Sequence, residues 1–247
     1  MLFLLISGCA KEDTDLLRKE TPVLTGMIRS LIPDQQISFF TMSEEYAGTP
    51  SSRKATLSLL HDGQWTDWTP DVYHYRAPDA FTFKPDSTYS IRVHDDLIQE
   101  LVQCTFKMPP AINLLVGITD TVHISNPGSV AGLISWNALD DEKYSYVFKL
   151  ECLESNPVNI PGQYGFFEER YDGPQLSPQL LMLKSDFKYY GRHKLTILAI
   201  DRALDALFFY DAADMRSQLR NGPDNVSGAA GFVAGVTGFE TEVIIWQ

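Results

Sequence analysis

Apolar residues recur at every second position over most of the chain, the period of an extended strand with one face packed and the other wet. In the first half, Val23 to Ile28 and Ile37 to Thr41 carry this pattern, with Pro33-Asp34 as the turn between them. Leu57 and Leu59 share a face, His61-Asp62-Gly63-Gln64 contains the Asp-Gly pair favoured in two-residue hairpins, and Trp65 to Trp68 returns. Phe81 and Phe83 form a further strand, Lys84-Pro85-Asp86-Ser87 turns the chain, and Tyr89, Ile91 and Val93 alternate strictly before Val102, Cys104, Phe106 and Met108 close the set. Short strands at this spacing, separated by turn residues, predict an antiparallel β-sandwich.

Pro109-Pro110 supplies no backbone donors and disfavours helix before it, so a domain junction is placed there. The second half opens with Leu114 to Ser125. Its clearest pattern follows: Ile134 and Trp136 share a phase, and Tyr144, Tyr146, Phe148, Leu150 and Cys152 alternate against Ser145, Lys149 and Glu151. This resembles the B and C strands of an immunoglobulin-like or fibronectin type III module, with Trp136 as the inter-sheet residue and Leu195, Ile197 and Ala199 as the long F-like strand. Asn156 to Pro178 reads as a long loop. Beyond Ile200 the period becomes helical: Leu204, Leu207, Phe208, Met215 and Leu219 share a stripe, Asp201 or Asp205 suits the N-cap, and Asn221-Gly222-Pro223 stops the helix. Val243 to Trp246 forms a terminal strand after the glycine-rich stretch that starts at Gly228. The expected fold is therefore mainly β. It has a tether at 1–21, a β-sandwich at 22–110, and a second sandwich with one amphipathic helix at 111–247.

The first residues carry a different signal. Met1 to Ile6 is apolar, Ser7-Gly8-Cys9 is small and ends in a thiol, and Ala10-Lys11-Glu12-Asp13 is polar. Ile6-Ser7-Gly8-Cys9 resembles a bacterial lipobox, whose chemistry needs a short apolar segment, small residues for the signal peptidase and a cysteine that accepts the diacylglyceryl group. The alternative is a buried N-terminal strand. With Cys9 lipidated, acyl chains would hold the protein at a membrane. Lys11-Glu12-Asp13 is similar to a surface-export signal of some lipoproteins, and it serves equally well as a solvated tether, so the periplasmic and cell-surface faces both stay open.

Across 247 residues, 32 Asp and Glu against 20 Lys and Arg give a net charge of -12, which argues against nucleic acid as a partner. Besides Cys9 the cysteines are Cys104 and Cys152, each on the apolar phase of its own strand in a different expected domain, so two buried thiols are expected rather than a disulfide. His61, His74, His94, His123 and His193 include no pair at metal-ligand spacing. Gly228 to Gly235 resembles a phosphate loop only in glycine content, since no Lys-Ser or Lys-Thr follows. The acidic pairs Asp95-Asp96, Asp140-Asp141 and Glu168-Glu169 fall in expected turns, no nucleophile elbow is present, and Asn225-Val226-Ser227 is discounted as a sequon in a bacterial lipoprotein. No catalytic residue, metal or cofactor is expected.

The segments TPVLTGMIRS, KATLSLLHDG, FKPDSTYSIRV, CTFKMPP and NVSGAAGFVAG follow the lipobox in that order. Together they resemble the two-domain lipoproteins of unknown function of Bacteroidetes, often encoded beside TonB-dependent outer-membrane receptors. The matching stretches are Pro85 to Val93 and Asn225 to Phe232, the second interrupted by Ala229 and Ala230. The resemblance implies an outer-membrane lipoprotein that docks on or assists a receptor.

The residues themselves leave a second function open. Trp65, Trp68, Tyr73 and Tyr75 cluster in and after one hairpin, and Tyr164 and Phe167 lie in the long loop. Exposed, such rings stack on sugars or on a partner; buried, they fill the sandwich. A docking module and a glycan-binding lipoprotein are the two expectations. Replacing the acylated thiol, Cys9→Ser, is expected to move the protein from the membrane pellet to the soluble fraction on ultracentrifugation; continued pelleting would contradict the anchor.

Overall fold

The computed structural model describes residues 20–30, 35–43, 51–52, 55–71, 74–78, 81–95, 101–118, 121–124, 130–163, 171–205 and 225–246. Cys9, Tyr73, Tyr164, Phe167 and the helix expected beyond Asp205 lie outside these residues. The first strands are β1 (Glu20–Arg29), β2 (Gln36–Ser43), β3 (Ser51–Ser52), β4 (Ala55–His61), β5 (Gln64–Asp67), β6 (Thr69–Asp71), β7 (His74–Arg76), β8 (Thr88–Asp95) and β9 (Leu101–Lys107). After Pro109-Pro110 come β10 (Leu114–Val116), β11 (Thr121–His123), β12 (Val130–Trp136), β13 (Tyr144–Cys152), β14 (Val158–Asn159) and β15 (Tyr171–Gln175). The last are β16 (Gln179–Leu183), β17 (Tyr189–Asp201), β18 (Val226–Ser227) and β19 (Ala230–Trp246). The protein is mainly β and builds several sheets.

Local chemistry explains much of this. Asp62 and Gly63 both hold positive φ, 51° and 76°, which gives the β4–β5 hairpin the twist that strand pairs favour, and His61 pairs with Gln64 across it. Along β9 every second residue is buried, so Val102, Cys104 and Phe106 point into the same core as Ile91 and Val93 of β8. The strand expected at Phe81 and Phe83 is instead an irregular segment. The Phe81 amide turns back to the Pro78 carbonyl at 3.1 Å, and both rings are held by edge-on packing at 4.9 Å rather than by a ladder. Part of the expected long loop is also strand: β14 and β15 occupy edges, where Pro174 in β15 costs no ladder bond to a further neighbour.

The sheet β18-β9-β8-β4-β5 encloses one core with β1, β2 and β7, where Leu24, Ile28, Ile37 and Phe39 meet Leu57, Leu59, Ile91 and Val102. The sheet β10-β12-β16 encloses a second with β13, β17 and the end of β19, where Ile134, Trp136 and Met182 meet Tyr146, Phe148, Leu195 and Val243. β13 departs from the expected alternation. Ser145 and Val147 are as buried as Tyr146, because the opposite face of β13 and β17 packs a third cluster of Val147, Leu198, Ile200, Leu204, Phe232 and Val236. Asp201 caps a 3-10 turn, Arg202–Leu204, by accepting the Ala203 amide at 2.8 Å.

β19 belongs to both halves. From Ala230 to Val236 it runs parallel to β1, and from Thr237 to Ile245 it runs antiparallel to β17. Val226 and Val233 thus enter the first core although they lie more than a hundred residues from it in sequence, so the expected junction at Pro109-Pro110 is bridged by the C-terminal strand. The junction itself is pinned: Pro109 O accepts the Asp86 amide at 3.1 Å, and Pro110 O accepts the Thr237 hydroxyl at 2.7 Å. The Asn225 side chain stands in for a neighbouring strand. Its amide donates to Val233 O at 2.7 Å and its carbonyl accepts Val233 N at 3.2 Å, which accounts for an asparagine ahead of the glycine-rich stretch. The glycines of that stretch are spacers. A side chain at Gly231, where φ is 112°, would strike the Leu24 carbonyl, and one at Gly235 would come within 2.7 Å of the Lys107 carbonyl.

Cys104 and Cys152 are not joined. Cys104 lies in the first core, where burial pushes its thiol up to about 12, while Cys152 is half-buried on β13. Gly231→Ala is expected to destabilise the protein by about 2–4 kcal/mol, through strained φ plus a backbone collision. Urea unfolding followed by far-UV circular dichroism measures it, and an unchanged midpoint would mean that β1 and β19 are not held in this register.

Candidate functional site

The rings of the first hairpin separate into two environments. Trp68 is 3% exposed; its amide donates to Leu57 O at 2.8 Å and its indole packs edge-on to Phe83 at 6.3 Å. Tyr75 is buried beside it and its hydroxyl donates to Ala55 O at 3.1 Å. Both serve the core. Trp65, on the edge strand β5, is 38% exposed, and the Arg92 guanidinium lies 4.1 Å from its ring centroid. One face of the indole is therefore covered by a cation. Around it the outer face of the sheet is polar: Ser58 donates to Asp67 at 2.6 Å, and Ser90 pairs with Thr105 at 3.0 Å.

The histidines are equally dispersed. His61 stacks in the Phe81 and Tyr89 cluster, His74 pairs with the Ser38 hydroxyl at 2.8 Å, and His193 is buried with Nδ1 3.1 Å from the Gly191 carbonyl. Among the described residues, no three His, Cys, Asp or Glu side chains gather where they could hold a metal ion.

Three surface features stand out. A cleft of about 710 Å³ lies at the junction, between the Lys107 end of β9 and the start of β13. Two ion pairs line it: Lys107 meets Asp86 at 2.7 Å and Lys143 meets Asp140 at 2.6 Å. The Lys143 hydrogen bond holds the Asp140 carboxyl below its ordinary range, and the Asp86 hydrogen bond raises Lys107. Each pair thus keeps its charges to itself across the neutral range.

The second feature is the outer face of β10-β12-β16. Leu133 and Leu181 stand directly opposite one another and are 43% and 54% exposed, with Val130 and Val116 beside them, both exposed. The inward phase of the same strands, Ile134 with Leu180 and Met182, is fully occupied by the core, so the outward leucines have no intramolecular role in it. Apolar residues adjacent on one sheet face form a patch of the kind that marks interaction surfaces.

The third is a recess of about 580 Å³ where β14, β17 and β19 meet. Trp246 and Val158 are exposed on its walls, Tyr190 is half-buried, and Glu154, Asn156 and Arg192 supply its polar groups. Sequence periodicity placed Trp246 in a terminal strand without marking it as a site residue. Its signal is the phase: Val243 and Ile245 point inward, and Trp246 falls on the opposite phase.

No protein-family model matches the chain, and no curated protein matches it. Among solved structures it is similar to the crystal structure of chicken CNTN1 FN1-FN3 domains, at 12% identity over 88% of this chain, with a TM-score of 0.20. The chain spans about 65% of that one's length.

The two tryptophans of the hairpin are expected to respond differently to truncation. Trp68→Ala should cost about 3–5 kcal/mol of stability through the cavity it leaves. Trp65→Ala should cost no more than about 1 kcal/mol, the worth of an exposed cation–π contact. Urea midpoints of the two variants compare them, and equal losses would contradict the assignment.

Proposed function

We propose that this chain is a cell-envelope lipoprotein, held at the outer membrane through Cys9, that acts by binding rather than catalysis and docks on an outer-membrane receptor protein. In this reading its two halves are sandwich modules of the immunoglobulin-like or fibronectin type III-like kind. The observation that carries it is the apolar face made by Leu133, Leu181, Val130 and Val116. Burying such side chains against a partner is worth roughly 25 cal/mol per Å² of apolar surface, before the cost of association. A second copy of the same chain is the poorer occupant, because a net charge of -12 makes like copies repel at long range. The lipobox supplies the anchor. Among the described residues no helix is long and apolar enough to cross a membrane, which suits attachment through acyl chains.

The test replaces both central leucines, Leu133→Glu with Leu181→Glu, which puts charge on a face already in water and leaves the core phase untouched. The wild-type protein, solubilised from cells that also express a candidate TonB-dependent outer-membrane receptor, is expected to retain that receptor on affinity purification. The double variant should retain at least about tenfold less. Equal retention by both proteins, or a stable wild-type homodimer in sedimentation that the double variant abolishes, would overturn the docking assignment.

A further inference from the structure

The recess at the end of β14, β17 and β19 combines groups that the docking face lacks. Its walls are apolar and aromatic, Val158, Tyr190 and Trp246, and its polar members are a carboxylate, an amide and a guanidinium, Glu154, Asn156 and Arg192. Trp246 lines it and is 55% exposed, so much of its surface is in contact with water. The carboxylate is set in place by backbone. Glu154 Oε1 accepts the Arg192 amide at 2.9 Å and lies 3.7 Å from the Arg192 guanidinium. Gly191 makes this possible: with φ at 107° and no Cβ, it lets the Glu154 side chain lie across the strand, where Glu154 Cδ would be 2.8 Å from any added methyl group.

This combination selects a ligand class. Glu154 and Arg192 neutralise each other, so the recess offers no unmatched cation to a phosphate or carboxylate. A purely apolar ligand would cover the polar groups of Glu154, Asn156 and Arg192 with nothing to replace the water they give up, which is costly. A sugar ring has one apolar C–H face and a rim of hydroxyls that both donate and accept. It needs an aromatic surface with acceptors and donors beside it, which the Trp246 ring, Glu154, Asn156 and Arg192 provide. The volume of about 580 Å³ lies within the range of small-ligand pockets. We infer that this recess binds a neutral saccharide, with a pyranose ring against Trp246 and its hydroxyls on Glu154, Asn156 and Arg192. The site is separate from the apolar face of β10-β12-β16, and it places the aromatic contact at Trp246 rather than at Trp65 and Trp68.

The experiment titrates the purified full-length protein with maltoheptaose, cellohexaose, xylohexaose and mannohexaose, following tryptophan fluorescence and isothermal calorimetry. Of the four tryptophans, Trp68 and Trp136 are buried, so a ligand-induced change reports on Trp65 or Trp246. Saturable binding of at least one glycan is expected, weakened about tenfold or more by Trp246→Ala, reduced several-fold by Glu154→Gln and unchanged by Trp65→Ala. Inorganic phosphate should not compete. No saturable binding to any of the four glycans, binding that survives both Trp246→Ala and Glu154→Gln, loss through Trp65→Ala, or displacement by phosphate would each overturn the proposal. Near-UV circular dichroism establishes that the variants are folded. The Leu133→Glu, Leu181→Glu variant should bind the glycan normally, which separates failure here from failure of the docking assignment.

Discussion

The structure depends on one strand exchanging its hydrogen-bond partner partway along its length. β19 completes the sheet of the first half through β1 and that of the second half through β17. Neither core closes without it: Val233 fills the first, Val243 and Ile245 fill the second, and Phe232 and Val236 fill the cluster on the other face. A backbone that passes this close to three others has little room for side chains, and Gly231, Gly235 and Gly238 stand where a Cβ would meet Leu24, Lys107 and Ile197. The glycine content that resembles a phosphate loop is thus a consequence of strand packing.

Sharing a strand makes the junction stiff. Pro109 and Pro110 lose their donors, yet their carbonyls are used by Asp86 and Thr237, and the ion pairs Lys107–Asp86 and Lys143–Asp140 line the cleft beside them. The surfaces on either side of this junction are therefore presented in a fixed relation. The outer face of the five-stranded sheet is polar, with one indole lying over a guanidinium. That of the three-stranded sheet is apolar, and the end of the second half carries a recess that is aromatic and polar together.

Much of the strand pattern was legible in the sequence because alternation is a local property. β8 and β9 keep their buried phase where Tyr89 to Val93 and Val102 to Phe106 put it, and Asp62-Gly63 makes the expected hairpin. The misreadings have physical causes. Phe81 and Phe83 alternate like a strand, but the segment joins no ladder: a turn from Phe81 to Pro78, the Lys84 amide on the Tyr89 hydroxyl and the ring packing hold it. β13 reads as half-wet because Ser145 is polar, while in the fold Ser145 bonds to Asp205 and is buried with Val147 under a second layer. The candidate surface was less legible. Trp65, Trp68 and Tyr75 are indistinguishable as aromatic residues in or near one hairpin, and their separation into one exposed and two buried rings depends on which strands lie above them.

What the chain determined alone was extended conformation, the inward phase of its clearest strands and the tight turn between β4 and β5, all of which follow from neighbouring residues and their steric preferences. Tertiary structure decided that β19 serves both halves, that Leu133 and Leu181 come side by side on an uncovered face, and that Trp246 shares a recess with Glu154 and Arg192. These depend on pairings between segments far apart in sequence. A period of two says which way a side chain points and nothing about which strand lies beside it.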